Sequence, residues 1–266
     1  MDVSEPPDTI VIPLWANGPD GSGNGGWSAG LLAPFVPEGS PGSGVAVSLR
    51  VPPPIGRPLE VAVDEAGSGR LLVDHAHAPV LVAHAELATV LLEAPGAIRA
   101  IRPDAARAAS AGFPFRDEHP FPRCVSCGTA RAAGEPSLHL HCGPVDGVTV
   151  RDEANEPTPV FADVWIPTVD LADTNDPELA SVAACWSALD CPSAAPMADP
   201  HAVIPSVLAR IAVRLDRQAR IGEPHVLAAW QVAVDGRKQR SRSVLLDATG
   251  EVLGAADALW IEVRPR

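Results

Sequence analysis

The chain has 266 residues, 46% of them hydrophobic, and its 20 Lys+Arg against 33 Asp+Glu leave a formal net charge of −13. That is a globular balance in a chain long enough to bury a sizeable core, and its acidity excludes the dominant basic face that a nucleic-acid partner requires. Five cysteines, an odd number, and the opening "MDVSEPPDTIVIPLW", with neither a basic nor a long apolar region, favour a cytoplasmic chain over a secreted, disulfide-framed one. The longest apolar stretch, "APVLVAHAELATVLLEAPGAI", is broken by His84, Glu86 and Glu93, so no membrane helix is expected.

In chain order, the glycine- and proline-rich stretches 17–26 and 37–44 read as loops. Between them "GGWSAGLLAPF" (25–35) reads as a first helix, with Asn24 placed to cap it. A strand and an Ile-Gly corner follow from Val47. Then "PLEVAVDEAGSG", "RLLVDHAHA" and "PVLVAHAELA" form an antiparallel meander with a short middle strand. His75, His77 and His84 fall in this meander as surface or cross-strand residues. Residues 103–136, rich in Pro, Arg and Gly, read as a connection. The next run, "LHLHC", alternates as a strand would, placing His139 and His141 on one face and Cys142 on the other. Together with Cys124-x-x-Cys127 these residues also offer the four nitrogen and sulfur ligands that a structural zinc needs. The strand reading is preferred, and no metal is expected. "DPELASVAACWSALD" (176–190) reads as a second helix capped by Asn175 or Asp176, with Pro177 at its first position. The chain ends in three runs, "HVLAAWQVAVDG", "KQRSRSVLLDATG" and "EVLGAADALWIEV", divided by Asp-Gly and Thr-Gly turns.

The two halves echo each other. "VSLRVPPPIGRPL" from Val47 aligns without a gap on "VRLDRQARIGEPH" from Val213, and "WSAGLLAP" at Trp27 aligns on "WSALDCPS" at Trp186. Two echoes in the same order predict a duplication, with repeats over 1–102 and 137–266 joined by a linker over 103–136. The alignment sets Leu31 against Asp190, and Ala184 and Cys185 against Gly25 and Gly26, so the repeats have specialised and one candidate site is left.

Asp190 closes an otherwise apolar helix. A carboxylate there is either satisfied structurally, by backbone N–H groups or by an arginine such as Arg210 or Arg214, or kept for chemistry. Neither a G-x-S-x-G elbow nor a Walker loop is present, which sets those enzyme classes aside.

A helix wrapped by an antiparallel meander, present twice, resembles the double-hotdog acyl-CoA thioesterases. "NGGWSAGLLA" is similar to the Gly-Gly helix entry of that family and "CWSALD" to the aromatic-x-x-x-Asp ending of its second helix. The run from Asp235 is similar to its last hairpins, and "RCVSCG" to a Cys-x-x-Cys-Gly segment of small thioesterases. The resemblance implies an α+β fold, a tandem (double) hotdog in which each repeat curls an antiparallel sheet around a central helix. It implies hydrolysis of an acyl-CoA or acyl-carrier thioester, with no cofactor. The N–H groups of Gly25 and Gly26 would hold the oxyanion, and Asp190 would act as general base or nucleophile. Asn24 stands where many relatives have histidine. The family's glutamine on the final strand has no counterpart, since "GAADALW" offers only Asp257. Trp27 and Trp186 are pocket wall or core, and Arg237, Lys238, Arg240 or Arg242 would meet the phosphates of coenzyme A. Pairing of chains into a homodimer or larger homo-oligomer would use an edge such as "LWIEV". The alternative is a non-catalytic acyl-ligand or interaction module on the same fold.

Overall fold

A computed structural model describes residues 8–37, 39–40, 42–132, 134–198 and 203–263. Residues 1–7, on which the reading of the opening stretch partly rests, lie outside them. Eleven strands form one sheet: β1 (Thr9–Val11), β2 (Ser43–Leu49), β3 (Pro58–Val63), β4 (Arg70–Asp74), β5 (Val80–Thr89), β6 (Gly143–Arg151), β7 (Pro157–Trp165), β8 (Ser206–Leu215), β9 (His225–Asp235), β10 (Lys238–Leu246) and β11 (Val252–Glu262). Four α-helices accompany them among the described residues: α1 (Gly25–Leu32), α2 (Gly96–Arg99), α3 (Pro103–Ala109) and α4 (Val182–Asp190).

The sheet order is β1-β3-β4-β5-β2-β8-β11-β10-β9-β7-β6, and the named strand pairs are antiparallel. Read outward from the β2–β8 seam, one half runs β2, β5, β4, β3, β1 and the other β8, β11, β10, β9, β7. The order is therefore the same on both sides, as the sequence echoes predict, with β6 added at one edge. At the seam Val45 to Ser48 pair with Val213 to Arg210.

One face of the sheet carries α1 and α4, which pack antiparallel. Their core includes Trp27, Leu32, Leu189, Leu72, Trp165 and Leu227. The other face has a second core, where Ile98, Ile101 and Ala106 of the α2–α3 region cover Val160, Ala228 and Val244. Strand β9 lies between the two cores, so His225 to Trp230 are buried without alternation.

Four expectations are corrected. The second helix begins at Val182, where Ser181 Oγ accepts the Ala184 N–H at 3.2 Å. Asp176 instead closes a turn, its carboxylate accepting the Glu178 N–H at 3.1 Å, and an isolated bridge joins Ala172 to Ala180. "LHLHC" is not a strand. His139 sits at φ 51°, which breaks the alternation, and His141 gives its N–H to the side-chain Oδ2 of Asp163 at 2.7 Å rather than to a strand's backbone carbonyl. "LWIEV" is not an edge either, because Trp260 and Ile261 in β11 lie between β8 and β10. The edges are β1 and β6.

Finally, 103–136 is more than a linker. Its first part is α3, and its second part crosses the α1–α4 pair. There Val125 N–H donates to Asn17 O at 2.7 Å, Ser126 Oγ to Ser187 O at 3.0 Å, and Arg131 to Trp15 O at 2.8 Å and Asn17 Oδ1 at 3.0 Å. No helix among the described residues is long and apolar enough to cross a membrane.

Candidate functional site

The site forms where the N-terminus of α1 meets the C-terminus of α4. Glycine allows the approach: a Cβ on Gly26 would stand 2.5 Å from Asp190 Cβ and 2.6 Å from Trp186 O, and one on Gly30 2.7 Å from Ala183 Cα. The two helices touch backbone to backbone, which delivers Asp190 to the first turn of α1.

A helix start leaves its first N–H groups without intrahelical partners. Here each has its own fate. Asn24 N–H goes to Ala16 O at 2.9 Å, Gly26 N–H to Asp190 Oδ2 at 2.8 Å, and Trp27 N–H to Asn24 Oδ1 at 2.8 Å. The Gly25 N–H meets no acceptor among the described residues, and Gly25 lines a cleft. It is the free donor at the positive end of the helix.

Asn24 is more than a cap. Its Oδ1 also accepts the Ser187 hydroxyl at 2.9 Å, and its Nδ2 donates to Asp190 Oδ2 at 3.1 Å. One amide thus ties both helices and the acid together. Asn24→Ala is expected to destabilise the chain by about 1–2 kcal/mol through the lost cap and the unpaired partners. A urea transition at lower midpoint and unchanged slope is the readout.

Asp190 is 1% exposed, and its Oδ1 has no hydrogen-bond partner among the described residues. Burial pushes its carboxyl up to about 7, opposed by the N–H of Gly26 and the amide of Asn24, while the nearby Cys124 adds to the rise. Neither arginine considered for it is near: Arg210 faces Glu86 at 3.9 Å and Arg214 holds Asp216 at 2.8 Å. The last carbonyls of α4 are satisfied by Ser243 Oγ on Leu189 O at 2.5 Å and Ser193 Oγ on Asp190 O at 2.6 Å. Trp260 Nε1 completes the chain to Ser193 Oγ at 2.9 Å.

The cleft beside Asp190 has a volume of about 360 Å³. Its walls are Leu49, Val51, Phe113, Phe121, Ala194, Met197, Leu208 and Trp260, with Asn24, Gly25 and Asp190 at one side. Arg50 is the basic residue among its lining. Trp27 and Trp186 are not in that lining. They are 5% and 3% exposed, and Trp27 meets Trp15 edge to face with ring centres 4.8 Å apart, so both are core.

The structure does not bring the cationic run to this cleft. Arg240 pairs with Glu153, Arg237 Nη1 reaches Glu262 O at 3.4 Å, and Lys238 is exposed. Arg240 and Arg242 line a separate hollow with Arg210 and Asp257. Asp257 faces Arg242 at 3.5 Å and so cannot stand in for a glutamine beside Asp190.

Nor does the structure gather the ligand set weighed from sequence. His139 is exposed, the His141 ring stacks 4.9 Å from Phe113, and Cys142 is buried in the core. The cysteines that do meet are Cys124, Cys127 and Cys191, their sulfurs all within 4.8 Å of one another. Thiol donors Cys127 and Cys191 hold the Cys124 thiol well below its ordinary pKa, and the same bonds help to push Cys191 up. Cys191 was not singled out in the sequence. Its position next to Asp190 was the available signal.

No protein-family model matches the chain, and no curated protein matches it by sequence. Solved structures do match. A tesB protein of Mycobacterium avium subspecies paratuberculosis is 15% identical with a TM-score of 0.54, over 96% of this chain and 92% of that one. An acyl-CoA thioesterase II of Mycobacterium marinum is 11% identical at 0.52, over 92% and 90%. A protein from Alicyclobacillus acidocaldarius described as having a hot dog fold is 13% identical at 0.50, over 92% and 89%. At these identities the likeness speaks of architecture, and with the mirrored strand order and the paired helices it gives this chain the α+β double hotdog fold.

Proposed function

We propose that the protein hydrolyses an acyl thioester of coenzyme A or an acyl carrier at the cleft beside Asp190. The observation that carries this reading is the convergence, on one apolar cleft, of a buried carboxylate and a helix-terminal N–H, the carboxylate's Oδ1 and the N–H both without a hydrogen-bond partner among the described residues.

The acyl chain lies against Leu49, Leu208 and Trp260, and the thioester carbonyl oxygen takes the Gly25 N–H. Asp190 Oδ1 accepts a proton from a water molecule as that water attacks the carbonyl carbon. The tetrahedral intermediate then collapses with loss of the thiolate, which takes up a proton. Gly26 N–H serves differently from the expectation: it orients Asp190 through Oδ2 and leaves Oδ1 for the water. Arg50, exposed at the cleft wall, takes the phosphate-facing role expected of Arg237, Lys238 and Arg240. The five free cysteines suit the reducing cytoplasm, which is where we place the chain.

The test is release of free thiol from acyl-CoAs graded in chain length, by the wild type and by Ala194→Trp. The indole would fill part of the cleft. Turnover by the wild type, with kcat/KM for the longer chains falling about tenfold more than for the shorter ones in the variant, is the expected result. Absence of turnover with every thioester overturns hydrolysis and leaves the non-catalytic acyl-binding module, which the missing glutamine favours.

A further inference from the structure

We infer that Cys124, Cys127 and Cys191 form a zinc site whose fourth position opens on the cleft beside Asp190. This stands whether or not the cleft hydrolyses thioesters.

The sulfur geometry is the first argument. Cys124 Sγ lies 3.6 Å from Cys191 Sγ, and all three sulfurs are mutually within 4.8 Å. A tetrahedral zinc with bonds of about 2.3 Å holds its sulfurs about 3.8 Å apart, so a small closing movement gives the metal its ligands.

The turn around Cys124 is the second. Cys124 N–H is held by Phe121 O at 2.9 Å, so the turn is fixed from its first residue. Gly128 N–H closes the turn on Cys124 O at 2.9 Å, and a Cβ at Gly128 would come within 2.5 Å of that oxygen. The sequence Cys-Val-Ser-Cys-Gly thus builds a tight turn that holds the Cys124 and Cys127 sulfurs within 4.8 Å of each other, the Cys-x-x-Cys spacing from which structural zinc sites are made.

The contrast with the remaining cysteines is the third. Cys142 and Cys185 are buried singly among apolar side chains, where a thiol packs as a small hydrophobe. Three thiols placed sulfur to sulfur do no such packing. They come from two distant segments, the crossing strap and the turn after α4, and all three are brought to one point.

The donor set selects the metal. Three thiolates favour a soft or borderline ion that accepts tetrahedral coordination, and zinc needs no redox partner. An iron–sulfur cluster would call for a fourth cysteine, which the group does not contain. Cys124, Cys127 and Cys191 all line the cleft, so the fourth position is left to water there. Asp190 Oδ2, 4.0 Å from Cys191 Sγ, is its carboxylate neighbour.

The experiment begins with wild-type protein from zinc-supplemented medium, purified without chelator, and measures zinc per chain and reactive thiols. Expected are one zinc per chain, at most two thiols reactive while zinc is bound against all five after unfolding with chelator, and loss of zinc from the Cys124→Ser/Cys191→Ser variant but not from Cys142→Ser. Independently of any variant, wild type stripped by chelator is titrated with cobalt. Intense tetrahedral absorption with a thiolate charge-transfer band, saturating at one equivalent, supports the site. Zinc well below one equivalent with no such band, a Cys124–Cys191 disulfide in fresh protein, or zinc kept by the folded double variant each overturns it.

Discussion

Asp190→Asn is expected to lower thioester turnover by about 10²–10⁴-fold, the range over which a positioned general base acts, while the protein remains folded. The substitution is nearly isosteric. An asparagine oxygen can still accept from Gly26 N–H, 2.8 Å from Oδ2 at present, and from Asn24 Nδ2 at 3.1 Å. What disappears is the second oxygen, the one without a partner, and with it the capacity to take a proton from water. The variant also removes a buried charge, so its melting temperature should stay level or rise. Loss of kcat with KM little changed, beside an unchanged or higher melting temperature, is the signature. A variant that hydrolyses at the wild-type rate would remove Asp190 from the chemistry.

Gly26→Ala should damage stability and activity together. The added carbon would meet the Cβ of Asp190 at 2.5 Å, the carbonyl oxygen of Trp186 at 2.6 Å and the Cα of Ser187 at 3.0 Å. Two of these three are backbone, so no rotamer change relieves them. The helices must separate, at a cost of roughly 3 kcal/mol, equivalent to about 6–12 °C in melting temperature for a chain of this size. The separation also lengthens the Gly26 to Asp190 bond, so activity should fall with stability. Gly96→Ala is the control: a Cβ there meets nothing within 4 Å, and its stability should stay within about 0.5 kcal/mol of wild type. Thermal melts of the two variants side by side make the comparison.

The juxtaposition of "NGG" with "CWSALD" was legible in the sequence because it depends on local signals, two short helices that share a Trp-Ser-Ala run and glycines where close approach is needed. The meander was legible too, since turn residues and strand alternation are local. Strand neighbours were not. "LWIEV" reads as an edge until β8 is seen to bind it from the far side, a pairing between segments about fifty residues apart that no periodicity encodes. The cationic run failed for a related reason: which surface of the sheet receives Arg240 depends on the register with β9 and β11, and a register shift lies at Arg240/Ser241. "LHLHC" kept its alternation on paper and lost it to one left-handed residue, His139. Cys191 was hidden by distance, because 67 positions separate it from Cys124.

The seam between β2 and β8 joins two copies of one architectural unit along four residue pairs. In an assembly of two identical chains every substitution arises twice, and a change that closes one site closes both. Fusion into a single chain breaks that constraint. Leu31 could take the place that Asp190 holds across the helix pair, and one half could give up its acid to packing while the other kept it. The asymmetry of a chain that keeps its buried acid in α4 and not in α1 is therefore a freedom that only covalent linkage of the halves provides.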